Sequence, residues 1–296
     1  MVYMMNTLLQ KCRKRVAGRY HKIVVAVFFL FMTSIFEAFA EYPPDIRGII
    51  DRGTLTVAMY EKDMPPFFMQ GPGGVLIGID VRLAEDIAKN LGVRVQFNRK
   101  AKTFNEVIDI VAKGEADIGI SLLSATPQRA IKVLFSEPYI TVHPALLVNR
   151  LYEANTRKRN TLDQLLRKPE NPIGVIGGSA YERYARDFFP GARVIPYPDW
   201  VSLKKAVVKG EVFAVLQSEA TLNIMITEEP ELYITLRKVE LKGREDYLSC
   251  AIPATHVHFL KWVNALIAGR PPQESTRNYL YEIILKSWGL ASGPMR

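Results

Sequence analysis

Ser121, Ser124, Thr126 and Arg129 fall within a nine-residue window, and their types suit the gripping of a small anion. They belong to the stretch DIGISLLSATPQRAIKVLFSEPY, from Asp117 to Tyr139. Ile118 and Ile120 read as a short buried strand. The small residues from Ser121 to Thr126 then form a turn. Pro127 suits a first helical position, because its missing N–H would have no helical partner there. Arg129 sits on the first turn of that helix. A strand end, free backbone N–H groups and hydroxyls, and a guanidinium just beyond them form a corner fit for a carboxylate. The same residues also fit an ordinary strand-to-helix turn with a surface arginine, and spacing alone does not separate the two.

Positioning such a corner requires a sheet, and the flanking pattern supplies one. Thr54 to Met59 is apolar and β-branched, reading as a first strand after Gly53. Pro65-Pro66 enforces an extended loop, and Gly71 to Gly74 a tight turn. Asp80 is the expected N-cap of a helix to Leu91, with Val81, Ala84, Ile87 and Ala88 on one face. Val93 to Phe97 alternates as a second strand, and Phe104 to Ala112 is a second helix. This βαβαβ order implies a parallel sheet with helices on both faces, where ligands bind at the carboxyl ends of strands.

A second unit of the same kind follows. Pro144 to Asn149 reads as a strand leaving the first unit, and Leu151 to Asn160 as a polar, basic stretch that includes Arg157-Lys158-Arg159. Strands are expected at Ile173 to Ile176, Arg193 to Ile195, Val212 to Leu216 and Leu232 to Leu236. Helices are expected at Thr161 to Leu166, Ser179 to Phe188, Trp200 to Val208 and Ser218 to Thr227. A strand at Tyr247 to Ile252 and helices at His256 to Ala268 and Thr276 to Trp288 close the chain. The expected division is 41–148 with 244–296 as one lobe and 149–243 as the other. Paired lobes joined by two crossings close on ligands by hinge motion.

The first forty residues stand outside this plan. Six Lys and Arg precede an apolar run from Ile23 to Ile35, and Ala38-Phe39-Ala40 fits a secretory cleavage site. The run is short for a membrane span, which needs about twenty residues; an uncleaved anchor is the alternative. Cleavage would leave 33 basic and 29 acidic residues, a net charge of +4 instead of +9. That mild, dispersed charge gives no sign of nucleic-acid binding. Of two cysteines, Cys12 leaves with the signal and Cys250 remains, so no intrachain disulfide is expected and Cys250 reads as a buried strand residue.

The fragments resemble those of the family-3 extracellular solute-binding proteins, the polar amino acid receptors of ABC importers. The resemblance spans Asp51 to Gly289. It rests on Gly53-Thr54-Leu55, Pro65-Pro66-Phe67, Gly78-Ile79-Asp80-Val81, Lys113 to Asp117, Ser124 to Arg129 and Phe135 to Tyr139, in order. It implies an α/β, type II periplasmic-binding-protein fold with two lobes closing over one ligand. It also implies that Arg129 and Ser124 bind a ligand carboxylate, that Phe104 stacks on its side chain, and that Glu61, Met64, Ser121 and Leu122 line the pocket. In the second lobe, Ile176 to Ala180 matches the loop that opens a helix beneath the carboxylate, placing Ser179 and Ala180 there. Ala180 replaces a hydroxyl residue common in the family.

The main departure is at Gln217-Ser218-Glu219. Family members that bind amino acids carry an Asp at the position of Ser218, where it accepts hydrogen bonds from the ligand ammonium. Either Glu219 takes that role or the ligand lacks an α-ammonium. The resemblance implies a periplasmic, monomeric receptor that passes a small carboxylate-bearing solute to a membrane permease, with no cofactor, metal or catalytic residue. The competing expectation is an enzyme on the same fold, since some relatives are dehydratases. No HExxH, GxSxG or P-loop motif favours it, and His256 and His258, two apart, do not share a helix face.

Overall fold

The computed structural model describes residues 42–270; the expected signal segment and the helix at Thr276 to Trp288 lie outside them. The chain opens with α1 (Pro44–Arg52), which buries Ile46 and Ile49. Then come β1 (Thr54–Tyr60), a small hairpin of β2 (Met69–Gln70) and β3 (Leu76–Ile77), α2 (Ile79–Leu91), β4 (Arg94–Ala101), α3 (Phe104–Ala112) and β5 (Ile118–Gly119). A one-turn helix α4 (Pro127–Ala130) leads to β6 (Val133–Phe135) and β7 (Ile140–Val142).

The second lobe contains β8 (Pro144–Asn149), α5 (Arg150–Thr156), α6 (Leu162–Leu166), β9 (Ile173–Ile176), α7 (Ala180–Phe188), β10 (Val194–Tyr197), α8 (Trp200–Lys209), β11 (Ala214–Ser218), α9 (Glu219–Glu228), α10 (Leu232–Thr235) and β12 (Leu236–Glu240). The chain then returns through β13 (Asp246–Leu248) and β14 (Ala251–Pro253) to α11 (Val257–Ala268).

Each lobe is built on a five-stranded sheet. The first runs β4-β1-β5-β14-β6, with β1 parallel to β4 and β5, and β14 antiparallel to its neighbours. The second runs β10-β9-β11-β8-β12, with β9 parallel to β10 and β11, and β8 antiparallel to β11 and β12. The outgoing strand β7 and the returning strand β13 pair with each other, so the two crossings run side by side.

Several expectations are corrected here. Pro144–Asn149 does not belong with the first lobe: all six residues are buried between β11 and β12, which places the outgoing crossing near His143 instead of after residue 148. Its continuous apolar run is what a strand covered on both faces requires. The polar, basic stretch from Leu151 begins within helix α5, which the Asn149 side chain caps by accepting from the Tyr152 N–H at 2.8 Å. The strand expected at Leu232 to Leu236 is the short helix α10 followed by β12; Pro230 starts the turn, and only Leu232 of Leu232, Tyr233 and Ile234 points inward. The strand expected at Tyr247 to Ile252 divides at Ser249-Cys250. There the Ser249 N–H donates to the Leu123 carbonyl and the Cys250 N–H to the Ser136 hydroxyl, instead of to a sheet ladder.

Candidate functional site

The corner between β5 and α4 is held from behind by Asp80. The sequence suggests Asp80 as a helix cap, but Gly78 occupies the cap and Asp80 lies in the first turn of α2, fully buried. Its carboxylate accepts from the Leu122 N–H at 2.6 Å and from the Tyr139 hydroxyl at 2.8 Å. Leu122 has φ of 51°, a left-handed backbone that a leucine rarely adopts, and the Asp80 bond holds it there. Gly78 makes this possible: at φ of 138° it passes so near the Phe67 carbonyl that a Cβ would lie 2.1 Å from the oxygen. Ser121 is also a brace, its hydroxyl accepting from the Tyr60 N–H at 3.0 Å.

Arg129 leaves this corner buried, with 6% of its surface exposed. Its guanidinium donates to the Asn105 side-chain oxygen, the Ser124 carbonyl and the Gly178 carbonyl, each at 3.2 Å. The last of these lies on the second lobe, so Arg129 bridges the two. Burial lowers its pKa to about 10, with Asp246 opposing the shift, so it stays cationic at neutral pH.

Above it is a cleft between the lobes, lined by Phe104, Leu122, Ser124, Ser179, Ala180, Tyr181 and Gln217. Phe104 packs against the Tyr60 ring at 4.7 Å, and the Tyr60 hydroxyl reaches across to the Pro198 carbonyl at 3.0 Å. On the second lobe the Ser179 hydroxyl turns back to the Ile176 carbonyl at 2.6 Å. The first N–H groups of α7 lack intrahelical acceptors and carry the positive end of the helix dipole, a second attraction for an anion.

The remaining sequence-derived residues fall elsewhere. Met64 is fully buried in the core of the first lobe, its backbone pairs with Phe68, and it is not among the residues lining the cleft. Glu61 pairs with Lys62 at 3.3 Å. Ser218 caps α9, its hydroxyl accepting from the Thr221 N–H at 3.2 Å and donating to the Thr221 hydroxyl at 2.9 Å. Glu219 lies at the crossing and meets His143 Nδ1 at 3.1 Å. Of that trio only Gln217 lines the cleft.

The family model of bacterial extracellular solute-binding proteins, family 3, matches residues 55–274, which runs from within β1 past the end of α11. The chain belongs to this family. The L-cystine-binding protein TcyJ of Escherichia coli (strain K12) is 29% identical over 191 residues, 64% of this chain and 68% of that protein. ABC transporter arginine-binding protein 1 of the same strain is 23% identical over 175 residues, 59% of this chain and 68% of that one. Among solved structures, an ancestral amino acid-binding protein described as a precursor of cyclohexadienyl dehydratase superposes with a TM-score of 0.64 at 27% identity, covering 82% of this chain and 98% of its own. The two-lobe fold of the family is therefore the fold of this chain.

Against this family background, three residues escape a reading by motif. Asp246, at the start of β13, is 1% exposed and accepts from the Ser124 hydroxyl at 2.9 Å and the Tyr184 hydroxyl at 3.1 Å. Burial raises its pKa, against the hydrogen bonds that lower it. Tyr181 lines the cleft, and its buried hydroxyl faces the Asp246 carboxylate. These residues lie on the return strand and inside α7, where no local pattern marks them. Among the described residues no group of three or more His, Cys, Asp or Glu could hold a metal ion.

Proposed function

We propose that this protein is a periplasmic receptor that closes its two lobes over an α-amino acid and delivers it to the permease of an ABC importer. The observation that carries the reading is the buried Arg129 guanidinium behind the cleft residue Ser124, where it also donates to the Gly178 carbonyl just before α7. A cation and a helix N-terminus converging on one point suit a carboxylate. The Phe104 ring on the cleft wall offers a face for an aliphatic or cationic side chain. L-Arginine is the first candidate, since it is named for one of the relatives above.

Family membership and the basic, then apolar, first forty residues support a periplasmic location. The site supports binding rather than turnover. Its described acidic groups are braced in hydrogen bonds, and the carboxylate grip needs no chemistry to explain it.

The test is a thermal-shift screen of purified residues 41–296 against amino acids, agmatine and small carboxylates. Saturating ligand at a hundredfold excess over Kd stabilises by about 2.7 kcal/mol. L-Arginine or another α-amino acid should raise the melting temperature, and agmatine, which lacks a carboxylate, should not. A screen in which only amines without carboxylates shift the melt would sink the proposal.

A further inference from the structure

The end of the second lobe remote from the cleft carries an exposed patch that ligand binding does not use. Strand β8 runs antiparallel to β11, with Pro144 opposite Ser218 and Val148 opposite Ala214. Helix α5 follows β8, so it leaves the sheet at the end away from the cleft residue Gln217. Strand β12 is antiparallel to β8, with Leu236 opposite Asn149, which puts α10, just before β12, at that same end. Arg150 Nε ties the two helices together, donating to the Tyr233 carbonyl at 3.1 Å and to the Leu236 carbonyl at 3.0 Å.

Three large apolar side chains stand out from these helices: Leu151 is 71% exposed, Tyr233 59% and Ile234 79%. Apolar residues exposed singly are ordinary, but three gathered from two helices mark a contact surface. Beside them Arg150, Arg157, Lys158 and Arg159 are all exposed. The carboxylate of α5, Glu153, is buried and bonded twice by Arg237 at 2.7 Å, so it does little to neutralise the outer cations. Among the described residues Lys158 and Arg159 pair with no carboxylate. The exposed carboxylates leading into α10 are Glu228 and Glu231, two negative charges against four positive.

We propose that this end of the second lobe docks on an anionic phospholipid surface and leaves the cleft, at the opposite end of the sheet, free. Leu151, Tyr233 and Ile234 enter the headgroup boundary, where apolar side chains and the amphipathic ring of tyrosine are favoured. The four cations meet lipid phosphates. Lys158 and Arg159, held by no partner of their own, suit a fluid array of headgroups better than one fixed acceptor. The contact is reversible, since three apolar side chains bury too little area for permanent anchoring. It goes beyond the receptor reading and does not depend on which solute the cleft takes.

The experiment is cosedimentation of the whole mature protein with large vesicles, either phosphatidylcholine alone or phosphatidylcholine and phosphatidylglycerol in equal parts. At about 0.1 M salt, partitioning onto the anionic vesicles should exceed that onto the neutral ones by about tenfold or more, and at about 1 M salt the excess should vanish. Lys158→Gln with Arg159→Gln should lower anionic partitioning by about 30-fold. Tyr233→Ser with Ile234→Ser should lower it by about tenfold. Both pairs are exposed and remote from the cleft, so the thermal melt should stay that of the parent. Equal partitioning onto both vesicles, or none onto either, would overturn the proposal and leave the receptor reading intact. Anionic partitioning that survives both double changes would place the lipid contact elsewhere and overturn it too. A dimer in light scattering that the Tyr233 and Ile234 changes dissolve would give the face to a second copy of the chain instead.

Discussion

On the first-lobe side of the cleft, the polar groups are fixed by a second layer of hydrogen bonds: Asp80 holds Leu122, Asp246 meets Ser124, and Arg129, buried behind them, is tied at three points. On the second-lobe side the contributions are a helix N-terminus, the Tyr181 hydroxyl and the amide of Gln217; no charged side chain lines the cleft from either lobe, but the first lobe keeps Arg129 buried directly behind Ser124. One wall is a preorganised charge site and the other is a polar lid. The difference matters for closure. Groups braced within one lobe keep most of their geometry whether or not the other lobe is in contact, although Arg129 also donates to the Gly178 carbonyl across the cleft.

Breaking the first-lobe scaffold should produce the largest effect. Gly78→Ala forces a Cβ to within 2.1 Å of the Phe67 carbonyl at φ of 138°. It should cost on the order of 4 kcal/mol or more, since both backbone strain and overlap must be relieved. Chemical denaturation should show the first lobe destabilised. The matching change on the lid, Gly178→Ala, meets only the Thr103 side chain at 2.9 Å and should cost less. Equal losses would remove the distinction between scaffold and lid.

Asp80 gives the comparison a pH dependence. Burial raises its pKa to about 7 in the folded protein, against hydrogen bonds from Tyr139 and Leu122 that lower it. The folded state therefore binds more protons than the unfolded chain between about pH 4 and pH 7. This group's contribution to stability is greatest at the acid end of that window and falls as pH rises, by on the order of 4 kcal/mol in total. Asp80→Asn should flatten that slope, because Asn keeps an oxygen for the Leu122 N–H and offers a donor to the Tyr139 hydroxyl. Denaturation midpoints across this range check it; an unchanged slope in Asp80→Asn would assign the dependence to another group.

The fold was largely legible in the sequence because hydrophobic periodicity and Gly and Pro punctuation are local signals, and they mark β1, α2, α3 and α7 to within a few residues. The corner at Ser121 to Arg129 was legible for the same reason. What the sequence does not display is which partner a side chain meets across the fold. Asp80 looks like a helix cap until Leu122 and Tyr139 are brought onto it. Met64 looks like a pocket wall until the lobe core closes around it. Pro144–Asn149 has the same apolar character in either lobe, and only its pairing with β11 and β12 assigns it. Asp246 is separated from Ser124 by more than a hundred residues, so no motif could join them.

Arg129 measures the charged wall directly. Arg129→Ala should remove the carboxylate grip and weaken amino acid binding by about 100-fold or more, as the loss of one or two charge-assisted bonds predicts. Folding should be less affected, because the guanidinium is itself buried at a desolvation cost that the alanine no longer bears. Calorimetry and a ligand-free melt separate the two. A variant that binds within threefold of the parent would move the ligand's carboxylate elsewhere, with α7 as its remaining attraction.

The smallest expected effect lies on the lid, at the trio where the sequence departs from its family. Ser218→Ala removes the bond to the Thr221 N–H and the cap of α9, and should cost about 1 kcal/mol of stability. It should change amino acid affinity by less than about twofold, since the Ser218 hydroxyl is already committed to Thr221. Glu219→Gln should likewise leave affinity unchanged, because its carboxylate faces His143 at the crossing. If either change weakened amino acid binding tenfold while the ligand-free melt held, the ammonium would lie at the end of β11, and the lid would carry a binding determinant that its side-chain contacts do not show.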